Sequence, residues 1–87
     1  MKLIELNKLL KEKFKNSISP VSIIFPFELI KMKHKNFIEV RFPSDNYVIK
    51  KLTNNWVVNY SERGKLFESK VFIKEEDACE FLYNKFS

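Results

Sequence analysis

Residues 56–64 read Trp56-Val57-Val58-Asn59-Tyr60-Ser61-Glu62-Arg63-Gly64, and the chain continues Lys65-Leu66-Phe67-Glu68-Ser69-Lys70-Val71-Phe72-Ile73. Both runs are rich in β-branched and aromatic residues, and the only glycine of the protein separates them. In an extended chain successive side chains alternate between two faces. Trp56, Val58 and Tyr60 then share an inner face, while Val57, Asn59, Ser61 and Arg63 share the outer one. The spacing predicts a strand over Trp56–Arg63 and a second over Leu66–Ile73. Gly64 supplies the positive φ that a tight hairpin between them requires.

Working upstream, the same period of two recurs twice. Phe37–Phe42 places Ile38, Val40 and Phe42 on one face and Glu39 and Arg41 on the other. Tyr47–Leu52 forms the next strand. The turns Pro43-Ser44-Asp45-Asn46 and Thr53-Asn54-Asn55 have the residues that favour tight reversals. Such short connections force antiparallel neighbours, so four strands make a meander.

At both ends the period changes to that of a helix. Leu3, Leu6, Leu10 and Phe14 recur at three- and four-residue steps within residues 2–15, with lysines on the other side. From Glu75 to about Phe86, Ala78, Cys79, Leu82 and Phe86 make an apolar stripe, and Glu75, Glu76 and Asp77 match the positive end of the helix dipole. The expected fold is therefore α+β: a four-stranded antiparallel meander, with an N-terminal and a C-terminal helix packed on one face and the other face wet. Residues 17–36 leave alternatives open. Val21–Phe25 suits a short strand, Pro26–Met32 the first turns of a short helix, and Lys31, Lys33, His34 and Lys35 a basic loop.

Composition bounds what such a chain can be. Its 87 residues form one domain, residues 1–87. A chain this short buries only about 60–65% of its unfolded surface, so the core must be dense in large side chains. Nine Phe, three Tyr and one Trp supply them. The single cysteine, Cys79, excludes an intrachain disulfide. A charge at Lys2 interrupts any apolar leader, and the longest apolar run, Ile23–Phe27 with its proline, is too short to span a bilayer. A cytoplasmic protein with no membrane partner is expected.

Catalytic chemistry finds no constellation. His34 and Cys79 are the only soft ligands and lie far apart in sequence, so no metal site and no Cys–His nucleophile is expected. One glycine cannot build a phosphate-cradling loop. Glu75-Glu76-Asp77 reads as a helix start, not as an acid–base pair. The expectation is a non-enzyme without cofactor or small-molecule ligand, working by binding a macromolecule. Candidate contact residues are Arg63 and Glu62 at the hairpin tip and Asn59, Arg41 and Glu39 on the outer face. Arg63 offers a planar fork of donors suited to carboxylate or phosphate.

The run Trp56-Val57-Val58-Asn59-Tyr60-Ser61-Glu62-Arg63-Gly64, then Phe72, then Glu75-Glu76-Asp77-Ala78-Cys79-Glu80-Phe81-Leu82, resembles a pattern in small immunity proteins of bacterial polymorphic-toxin and contact-dependent growth-inhibition systems. The resemblance covers residues 47–83. It implies a non-enzyme that binds and blocks a cognate protein toxin domain in the producing cell. Inhibitors of basic nuclease toxins tend to be acidic, whereas this chain has a net charge of +5. The toxin implied is then not a basic nuclease, or a local acidic face built from Glu62, Glu68, Glu75, Glu76, Asp77 and Glu80 meets it. A second reading is a small nucleic-acid-binding domain. Lys31, Lys33, His34, Lys35, Arg41, Lys50 and Lys51, interleaved with Phe37 and Tyr47, resemble the basic-plus-aromatic footprint of single-strand-binding sheets.

Overall fold

A computed structural model describes residues 1–18, 20–24 and 37–86. Among these residues two helices and five strands follow in the order α1 (Leu3–Lys13), β1 (Ser22–Ile24), β2 (Phe37–Arg41), β3 (Asp45–Lys51), β4 (Trp56–Glu62), β5 (Lys65–Phe72) and α2 (Glu75–Asn84). The strands form one sheet in sequential order, every neighbouring pair antiparallel.

The expected meander is present, with one correction: among the described residues the sheet has five strands rather than four. The additional strand is β1, which pairs Ser22 with Arg41, Ile23 with Val40 and Ile24 with Glu39. Three residues carry too little periodicity to be distinguished from the alternatives in sequence, and the pairing partner β2 decides the matter. The expected helix over Pro26–Met32 and the basic loop around His34 lie outside the described residues.

Register assigns the faces. Val40 opposes Tyr47 and Ile38 opposes Ile49; Ile49 in turn opposes Val58, and Tyr47 opposes Tyr60. Those inner-face residues form one core with Leu3, Leu6 and Leu10 of α1 and Ala78, Cys79 and Leu82 of α2. Both helices therefore cover the same face, α1 over β1 and β2, α2 over β3 to β5. Each helical stripe is apolar for the reason the sequence gives: three- and four-residue spacing brings these side chains to one side.

Neither helix start carries a side-chain cap of its own, since Lys2 and Lys74 occupy the N-cap positions. The two starts solve this together. The Leu3 N–H donates to Glu75 Oε2 at 2.8 Å, satisfying one of the orphan donors of α1 from the first turn of α2. Lys2 Nζ lies 3.0 Å from Glu76 Oε1 and 3.8 Å from Glu75 Oε1. Glu75 and Glu76, in the first turn of α2, thus also serve the start of α1, a link between elements distant in sequence that local pattern reading does not show.

The outer face is less wet than expected. Val57 is only 6% exposed although it faces away from the helices. It lies in β4, an interior strand, between Lys50 and Val71, its cross-strand neighbours. Glu39, Val48, Asn59 and Ser61 on the same face are half-buried.

Candidate functional site

At one end of the sheet the β2–β3 and β4–β5 connections lie side by side. The first closes with the Phe42 N–H donating to the Asp45 carbonyl at 2.8 Å. Strand β3 begins at Asp45, so the turn is shorter than the expected Pro43–Asn46. In the second, Arg63 and Gly64 both have positive φ, 52° and 83°. Two consecutive positive values are the signature of the mirror-image turn that suits the twist of a two-residue hairpin. The Arg63 N–H then donates to the Ser44 carbonyl at 2.9 Å, tying the two turns together.

Between them opens a cleft of about 520 Å³. Glu39, Arg41, Asn46, Ser61 and Arg63 line it. Register explains the grouping, because Arg41 opposes Asn46 and Asn46 opposes Ser61 across three adjacent strands. Arg41 Nε donates to Glu39 Oε2 at 3.0 Å, which neutralises part of its charge. Arg63 has no carboxylate partner among the described residues, so its guanidinium is the uncommitted cation of the cleft. The Oδ1 atoms of Asn46 and Asn59 are buried without a hydrogen-bond partner, leaving polar capacity on this face for an incoming donor.

An aromatic cluster holds this end from beneath. The Phe42 ring meets Phe14 at 5.5 Å, Tyr47 at 5.9 Å and Phe86 at 5.9 Å between centroids. Tyr47 packs on Tyr60 at 4.7 Å and on Phe86 at 4.9 Å. Three of these contacts, Phe42 with Phe14 and with Tyr47 and Tyr47 with Phe86, are edge-to-face, which favours fixed ring positions. Because Phe42 is also part of the cleft wall, α1, β2, β3 and the end of α2 together fix the turn that shapes it. Burial, with Asp45 adding to it, raises both the Tyr47 and Tyr60 hydroxyl pKa values, so both remain protonated donors at neutral pH.

Of the five candidate contact residues, Glu39, Arg41 and Arg63 come together in the cleft. Asn59 lies on the same face but apart from it, between Val48 and Ser69. Glu62 turns away: its Oε2 accepts a hydrogen bond from the Tyr60 hydroxyl at 3.3 Å. Sequence reading missed Asn46 and Ser61 as cleft residues. Asn46 read as part of a turn, and only its pairing with Arg41 and Ser61 shows otherwise.

The acidic residues of the C-terminal half do not gather into one free surface. Glu75 and Glu76 hold α1 and Lys2, Glu62 holds Tyr60, and Glu68 Oε1 lies 2.8 Å from Lys85 Nζ. Cys79 is buried in the core; desolvation, with Glu75 nearby, pushes its thiol up to about 12. His34 lies outside the described residues. Among the described residues no three His, Cys, Asp or Glu side chains are grouped to hold a metal ion, and no helix is long and apolar enough to cross a membrane.

The arrangement defines an α+β domain with a rigid, arginine-bearing cleft at one end of an antiparallel sheet. Compared with known proteins, the chain matches no family model, no curated protein and no solved structure.

Proposed function

We propose that this domain is an immunity-type inhibitor that binds a partner toxin domain and blocks it by occlusion. The class comes from the resemblance of residues 47–83 to immunity proteins. The surface comes from one observation: Glu39, Arg41 and Arg63 converge on a single cleft that two bonded turns hold in place. A preformed surface of this kind loses little entropy on association. The cleft and the half-buried outer face beside it offer room for the roughly 800 Å² per partner that a specific interface needs. Arg63 is the anchor, since a guanidinium with no carboxylate partner among the described residues can engage an incoming carboxylate bidentately.

The nucleic-acid reading asks Phe37 and Tyr47 to act as one stacking platform. Phe37 opposes Lys50 on the outer face, whereas Tyr47 belongs to the inner aromatic cluster. That separation favours the protein-binding reading.

The test is co-purification with the variable C-terminal domain of a secreted protein encoded immediately upstream. Wild-type protein should form a stoichiometric complex and protect cells from that domain, and Arg63→Glu should weaken both. Retention on single-stranded nucleic acid that falls steeply with salt, with no toxin complex, would overturn the reading.

A further inference from the structure

Among the described residues strand β5 ends the sheet, with β4 as its strand neighbour. Its eight residues make it a long edge, and the opposite edge strand β1 has three. An edge of that length exposes a row of unpaired backbone N–H and C=O groups. It is also apolar: Leu66, Phe67 and Val71 are 62%, 62% and 61% exposed. The register shift between Tyr60 and Ser61 confines the bulge to the hairpin end around Phe67, leaving Glu68–Phe72 regular.

The charges along the edge select the occupant. Pairing with β4 puts Glu68 and Lys70 on the helix-covered side and Ser69 and Val71 on the other. Suppose a second β5 runs antiparallel to the first about a two-fold axis at Ser69. Glu68, which also holds Lys85 of its own chain, then opposes Lys70 of the other copy. Shifting the axis to Glu68 or to Lys70 sets like charges face to face instead, which is destabilising. The sequence of the edge is therefore complementary to itself in one central register.

We infer that two copies of this chain associate through antiparallel pairing of their β5 edges, with Ser69 on the axis, to form one continuous ten-stranded sheet. Such an interface is isologous and closed, so it stops at the dimer. It uses the opposite edge from β1 and does not rest on the cleft.

Charge reversal in trans tests it. Wild-type protein should sediment as a dimer at high micromolar concentration. Lys70→Glu alone sets glutamates opposite glutamates, and Glu68→Lys alone sets lysines opposite lysines. Each should weaken self-association by about tenfold or more, since two symmetric pairs change sign. Mixing the two variants restores both pairs, so a heterodimer should form where neither homodimer does. Ser69→Cys should give a disulfide-linked dimer on mild oxidation, native Cys79 being buried. A wild-type monomer across that concentration range overturns the inference. So does a dimer indifferent to both reversals, or one that Ser69→Cys does not cross-link.

Discussion

Replacing Arg63 by asparagine should strengthen the fold and weaken binding. Arg63 sits at φ 52°, in the left-handed region, where the Cβ of an L residue crowds the following carbonyl oxygen at a cost of about 1–2 kcal/mol. Asparagine is several-fold enriched there and, followed by glycine, is the favoured pair for this hairpin turn. Arg63 is exposed, so no packing is lost. Its bond to the Ser44 carbonyl uses the backbone N–H and survives the change. Recovering about half of the strain gives about 0.5–1 kcal/mol of added stability. For a domain of this size that corresponds to a rise in Tm of about 2–8 °C. The guanidinium leaves the cleft at the same time. Loss of a central arginine anchor should lower affinity for the partner by about tenfold or more. Thermal denaturation followed by circular dichroism and calorimetric titration with the toxin domain read the two effects separately. An unchanged or lower Tm would refute the strain argument; an unchanged affinity would remove Arg63 from the interface.

Three further outcomes are expected. Trp56→Ala removes a buried ring packed beside Phe72 across the strand pair and should cost about 3–5 kcal/mol, read as a lower urea midpoint at constant slope. The Cys79 thiol should resist aromatic disulfide reagents at pH 8 in the native protein and react only on unfolding. Because its pKa rises from 9.0 to about 12 on folding, the stability linked to it is intact below pH 9.0 and erodes as pH climbs from there toward 12. The hydrogen bond from Lys2 lowers the Glu76 pKa below its ordinary 4.5. Carbon-13 titration of Glu76 should show that lower midpoint, and Lys2→Met should return it toward 4.5. The stability contributed by this pair is present above pH 4.5 and is lost as pH falls through the depressed value.

The residues by themselves determined the period of both helices and of the strands β2 to β5. Alternation in Ile38-Glu39-Val40-Arg41 and in Trp56 through Tyr60 fixed which side chains face inward, and short polar turns fixed antiparallel order. The stripe Leu3, Leu6, Leu10 and the stripe Ala78, Cys79, Leu82 fixed what each helix buries. Those are local properties, written in spacings of two, three and four residues. Tertiary structure alone decided what depends on partners distant in sequence. The three residues of β1 became a strand because β2 lay beside them. Glu75 became the cap of a helix 72 residues away. Glu62 turned to Tyr60, and Asn46 joined Arg41 and Ser61 in the cleft. The cleft lies where one backbone hydrogen bond from Arg63 to Ser44 joins two turns. Periodicity reports the environment of a single element, whereas a site is a meeting of several, and register settles which residues meet.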